Sequence, residues 1–254
     1  MRAILEAAWR WPARRHVAGD AGATAEDACL AVAGLAAEGF PVTVDHLGEN
    51  DEKDFLTLLD ALARRGLARG ADLTVRPQKL DRESVGRLCE AARDAGATVT
   101  LDMPLGRPLD REDHTAVDAT LAVHAALRGE HPTLGVVVQS SLRRAEEDCR
   151  ALASARVRLC NGGYDAAPAL AYETAHEADL SYVRCLKILL AGPGHPVIAT
   201  HDRRLIDVAA ALAALNDREP DGFEFQIPYG VRPAERRRLA GRGAQVRVHV
   251  PIKE

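Results

Sequence analysis

The stretch RLCNGGY, Arg158 to Tyr164, groups a guanidinium, a thiol, an amide and a phenol around the tight turn of Gly162 and Gly163. Polar side chains also close other short apolar runs along the chain. These are Asp45-His46, Arg76, Asp102, Gln139, Thr200-His201-Asp202, and Glu224 with Gln226. Any one of them has a structural explanation, because Asp caps turns and a core His satisfies a carbonyl. Seven of eight runs ending this way is more than capping needs. Acids, amides and cations gathered in one ring bind a small molecule and place charge beside its reacting atoms.

The residue types alone leave the reaction open. Asp45, His46, Asp102, His201 and Asp202 are suitable ligands for a hydrolytic metal centre, although no HxH or HExxH spacing occurs and Arg76 and Arg158 would repel a cation. The glycine patterns of dinucleotide and P-loop sites are absent, as is a GxSxG nucleophile turn. Cys160 could serve as a nucleophile, but its alternation within RVRLC is equally compatible with core packing and nothing in the sequence activates the thiol, so the inert reading is favoured.

The elements that must position these groups follow from periodicity. Eight short β-branched runs are predicted strands: 41–48, 72–77, 98–104, 134–141, 156–163, 196–202, 223–230 and 245–251. Between them lie Ala/Leu/Arg/Glu-rich segments with helical spacing, at 54–70, 111–127, 145–155, 181–192 and 203–215. A further helix over 24–40, opened by a Thr24 N-cap, precedes the first strand. Strand–helix alternation implies parallel pairing, and eight strands favour a closed (β/α)₈ barrel, residues 1–254 forming one domain. In such barrels the C-terminal strand ends carry the site. Only Ile252-Lys253-Glu254 follow Pro251, so no helix is expected after strand eight.

Composition narrows the function classes. The chain has 254 residues, is 47% hydrophobic, and carries 33 Lys+Arg against 37 Asp+Glu for a net charge of −4. That balance favours neither nucleic acid nor a membrane surface as partner. Five widely spaced cysteines without a CxxC are not a disulfide framework and predict a cytoplasmic protein. No apolar stretch approaches the roughly 20 residues of a membrane span.

Taken in order, the strand ends resemble those of proline dehydrogenases, flavin-dependent enzymes that oxidise L-proline to pyrroline-5-carboxylate. The resemblance runs through residues 15–50, VTLDM (99–103), VVVQSSLRRAEED (136–148), RLCNGGY, ATHDRRLI (199–206), FEFQIPYGVR (223–232) and VRVHVP (246–251). It implies FAD as cofactor and an amino or imino acid as substrate, with hydride passing to flavin N5 and the electrons then to an acceptor. Arg158 matches the arginine beside N5, where a fixed cation suits the charge that hydride arrival creates. By the same resemblance Gln139, Asn161, Gly162, Gly163, Thr200, His201, Asp202, Glu224 and Gln226 line the cofactor. Asp102, Arg76 and Tyr164 form the substrate side.

The departures matter as much. The family's lysine in the K-G-A-Y turn is Asn161, which can donate a hydrogen bond but supplies no charge. The second-strand lysine is Arg76, which keeps the charge in a bulkier planar group. The helix that carries the family's carboxylate-binding Arg pair has no counterpart in this sequence. Arg236, Arg237 and Arg238 are read as a solvated face of an earlier helix rather than a substitute. The alternative expectation is therefore a flavin-free barrel that binds or regulates.

Overall fold

The computed structural model describes residues 21–22, 24–47, 51–103, 115–162 and 166–253. Eight parallel strands close on themselves in chain order: β1 (Val42–Leu47), β2 (Asp72–Val75), β3 (Thr98–Leu101), β4 (Gly135–Gln139), β5 (Arg156–Cys160), β6 (His195–Ala199), β7 (Glu224–Pro228) and β8 (Val246–Lys253). Helices follow the strands: α2 (Glu52–Arg64), α3 (Arg82–Asp94), α4 (Thr115–Leu127), α5 (Ala145–Ala151), α6 (Ala175–Ala191), α7 (Arg203–Leu215) and α8 (Pro233–Ala240). The expected helix before β1 is α1 (Ala25–Ala37), which packs on β8, β1 and α2 and so covers the seam where the barrel closes. Among the described residues no helix is long and apolar enough to cross a membrane.

Helix ends are fixed as their sequences dictate. Thr24, Asp51 and Thr174 each cap through a reciprocal pair with the residue three positions on, Asp27, Asp54 and Glu177. The α3 segment was not among the periodic segments singled out above, because charged residues dominate it. It still buries Val85, Leu88, Cys89 and Ala92 on one face. The strand read as ending at Pro251 runs on to Lys253. A proline fits there because β7 pairs with β8 only as far as His249, leaving no ladder bond for its missing N–H on that side.

Alternation along each strand divides the molecule into two interiors. Outward residues such as Val44, Leu73, Val99, Val136, Val138, Leu159, Ile198, Phe225, Val248 and Val250 join the helices in one apolar core. Each such large side chain contributes about 1.5–3 kcal/mol when fully buried. The lumen is different. Branched aliphatics usually fill it in layers, but here the lower layer is ionic. Arg156 donates to Asp72 (2.9 Å), Thr100 (2.7 Å) and Glu224 (2.9 Å), and Arg247 reaches Glu224 at 2.9 Å. Asp72 also accepts from Thr43, Thr98 and Thr100. Gly135 makes room for this, since a Cβ would stand 2.8 Å from Thr100 Oγ1 and 3.0 Å from Arg156 Nη1.

Glu224 is therefore misplaced in the sequence reading. It opens β7 at the N-terminal end of the lumen and balances two guanidinia, far along the strand from the mouth. Gln226 lies one layer higher, its amide donating to Thr43 Oγ1 at 2.8 Å. The Arg236–Arg238 run is not simply a solvated face either. Arg236 is buried, stacks 4.6 Å over Phe40 and bonds Glu38, while Arg237 is exposed and Arg238 pairs with Glu235.

Candidate active site

Above the ionic floor, inward residues of β1, β2, β3, β5 and β8 converge on a second network. Arg76, one residue past β2, grips Asp45 of β1 through both oxygens at 2.7 and 3.0 Å and lies 3.9 Å from Asp102, just past β3. Arg158 donates to Asp102 at 3.2 Å and to Thr74 at 2.9 Å. His249 of β8 meets the remaining face of Asp45, its Nε2 at 3.0 Å from Oδ2. The sequence places Arg158 at a strand end, but it is the third of five residues in β5, level with Val137 and Val197. Its long side chain rises from that depth toward the mouth.

Electrostatics fix the protonation states. Burial on its own would raise the Asp45 carboxyl, yet the Arg76 guanidinium and the His249 hydrogen bond outweigh it and hold the group well below the usual carboxylate range. Burial disfavours the Arg158 cation, but the Asp102 carboxylate more than compensates, so the cation is secure. Enclosure pushes the Cys160 thiol up to about 12 against the opposing pull of Arg158, so it is a neutral thiol at physiological pH.

Among the described residues, the buried polar atoms without a hydrogen-bond partner include Gln139 Oε1, at the end of β4, and Arg158 Nε. An acceptor and a donor left unmatched in a sealed interior cost free energy unless a ligand meets them. A planar ring bearing both N–H and carbonyl groups fits that need, so the residues present suit a flavin at this end of the barrel.

The remaining predicted residues divide. Thr200 and His201 follow β6 directly, and Thr200 Oγ1 accepts from the Asp202 N–H. Asp202 itself is the N-cap of α7 and is bound by Arg204 in both backbone and side chain, which is a capping arrangement. Asn161 is engaged elsewhere: its Nδ2 donates to Asp179 of α6 at 2.7 Å and its Oδ1 accepts from Ser140. Gly162 has φ +85°, the left-handed conformation that only glycine adopts freely. Gly163 and Tyr164 lie outside the described residues. His46 faces away from the lumen, lining a cavity of about 260 Å³ with Thr24, Ala25, Asp54, Thr57, Leu58 and Ile252. Among the described residues no group of three or more His, Cys, Asp or Glu side chains is arranged to hold a metal ion.

His249, Arg156 and Arg247 lie within or at the start of their apolar runs rather than at the C-terminal ends, so the strand-end signal does not mark them. The signal was present in the strands themselves: RVRLC and VRVHV alternate strictly, so Arg and His must share one face.

Comparison with known proteins places this geometry in context. The proline dehydrogenase family model matches residues 28–254. The chain is 30% identical over 253 residues to proline dehydrogenase 1 of Bacillus subtilis (strain 168), covering 95% of this chain and 82% of that one. It is also 30% identical over 261 residues to a proline dehydrogenase of Deinococcus radiodurans, covering 94% and 81%. Among solved structures, proline utilization A from Bdellovibrio bacteriovorus, inactivated by N-propargylglycine, superposes with a TM-score of 0.80 at 20% identity. That match covers 93% of this chain and 31% of the larger protein.

Proposed function

The chain belongs to the proline dehydrogenase family and is an enzyme of that type, and from this premise we propose that it oxidises proline or a related amine or imino acid with FAD as cofactor. We take residues 1–254 as one barrel unit working in a reducing compartment, the cytoplasm, in keeping with five free cysteines. The observation that carries the cofactor reading is the unmatched acceptor Gln139 Oε1 and donor Arg158 Nε above the paired charges of the lower lumen.

In this reading Gln139, Arg158, Thr200, His201 and the turn at Gly162 hold the flavin, which when bound supplies the hydride acceptor. Arg158 places a permanent cation beside the atom that gains negative charge, and Asp102 keeps the guanidinium oriented. Arg76, Asp102 and Tyr164 border the substrate. The paired charges below exclude bulk water from the reacting end, so each electrostatic contact there is stronger than in solvent. Asn161 in this reading is held by Asp179 and Ser140 at the edge of the cofactor turn. Its engagement with protein groups favours, as the second reading, a member of the family that does not retain flavin.

A visible absorbance spectrum of the purified protein, before and after FAD is added and the excess removed, separates the two. Retained flavin that bleaches anaerobically with L-proline or a related amine is the expected result. A colourless protein that keeps no added flavin refutes the proposal.

A further inference from the structure

Oxidation of an amine by hydride loss has a prerequisite that the residues above do not meet. At neutral pH an aliphatic amine is an ammonium, and an ammonium has no lone pair to drive hydride from the adjacent carbon. Its N–H proton must leave first. Resting on the flavin-dependent reading, the geometry points to His249 as the base that removes this proton, with Asp45 as the residue that positions it.

His249 stands on the lumen side of β8 with 25% of its side chain open at the mouth, above layers filled by paired charges. Asp45 already accepts two hydrogen bonds from Arg76 and is an ionised carboxylate, so it can only accept. The hydrogen shared with His249 therefore belongs to Nε2, which leaves the lone pair of the neutral ring on Nδ1. Neighbouring charges are committed: Arg76 to Asp45 and Asp102, and Arg158 to Asp102 and Thr74. Asp102 also accepts from the Met103 N–H at 2.8 Å. From β7, Pro228 lies beside His249 and Gln226 is bonded to Thr43, and neither titrates. Tyr229 packs on the outer core and contributes its backbone N–H to the His249 carbonyl.

The step balances without another reagent. The substrate N–H bond breaks and the Nδ1–H bond forms. Asp45 stabilises the imidazolium, and the proton returns to solvent through the mouth. The freed lone pair is then available to form the C=N bond, and a bound flavin would supply the acceptor for the hydride lost from the adjacent carbon.

Anaerobic stopped-flow bleaching by saturating L-proline across pH tests the assignment. The wild-type rate should fall tenfold per pH unit on the acid limb. His249→Gln keeps a donor to Asp45 but removes the base. It should retain its flavin spectrum, lose about 10²–10³-fold in rate at neutral pH, and recover as pH approaches the amine's own ionisation. Asp45→Asn should move the acid limb to lower pH, which lost packing alone would not do. A His249→Gln enzyme with the wild-type rate and profile overturns the proposal. Should the wild type fail to bleach at any pH, the amine-oxidation reading fails separately, and ¹⁵N NMR of the same protein decides the histidine. The expected His249 signal, assigned by its loss in H249Q, shows Nε2–H with a bare Nδ1 in the neutral ring, gains a proton at Nδ1 on acidification, and shifts with L-proline. A signal fixed in one state, or indifferent to proline, overturns it.

Discussion

Asp45 is the residue on which the upper lumen turns, and its environment makes a testable claim about pH. Its folded pKa is depressed, so the stability it contributes is complete above the unfolded value, about 3.9, and is lost as pH falls through that value toward the folded one. Urea denaturation between about pH 5 and 2 should therefore show a steep acid limb in the wild type and a flatter one in Asp45→Asn. At neutral pH the same substitution should cost about 3 kcal/mol, because it removes the bidentate carboxylate from the buried Arg76 guanidinium and leaves Asp102 at 3.9 Å as its remaining acidic neighbour in this network. The sequence made Asp45, Arg76, Asp102, Gln139 and Arg158 visible as polar ends of apolar runs. It did not separate Asp45 from His46, which adjoin in sequence but face opposite sides of β1. Nor did it reveal that Asn161 is occupied by Asp179, a partner 18 residues away on a helix whose rotation only packing decides.

At the scale of elements, the turns beneath the barrel are the least forgiving parts. The connection from α6 to β6 passes so close to the α5–β5 turn that a Cβ on Gly194 would stand 2.2 Å from the Ala155 carbonyl oxygen and 2.8 Å from that of Ala153. The contact is backbone against backbone and cannot relax by a rotamer change. Arg218, beyond α7, closes the same region by donating to the carbonyls of Leu189, Leu190, Gly192, Gly194 and Gly222. Gly194→Ala should lower stability by about 3 kcal/mol, read as a fall in Tm, while flavin affinity of the folded fraction stays unchanged at the far end of the barrel. Strand number, order and the helix before β1 were legible because apolar runs and caps are local signals. The α3 helix and the depth of Glu224 were not. The first is masked by charged residues spread through the segment, and the second depends on barrel stagger, which no single strand records.

For the molecule as a whole, the ionic floor sets the character of the barrel. Asp72, Glu224, Arg156 and Arg247 form a neutral set, so removing one charge unbalances the other three. Glu224→Gln should cost about 3–5 kcal/mol, seen as a lower urea midpoint with an unchanged slope. The same closure has a bearing on how the protein is made. β1 is held by β8 along its full length, Asp45 meets His249 across 204 positions, and Arg247 bonds the carbonyl of Val42 across 205. A nascent chain leaving the ribosome thus carries a first strand whose β8-facing edge stays unpaired until β8 has been translated. During that interval β1 is an open edge that another chain can pair with. Docking of β8 removes this edge, and the same event brings His249 to Asp45. Docking of β8, burial of the seam and assembly of the reacting end are one step, so chains synthesised only as far as β7 carry the aggregation risk of the fold before they have its active site.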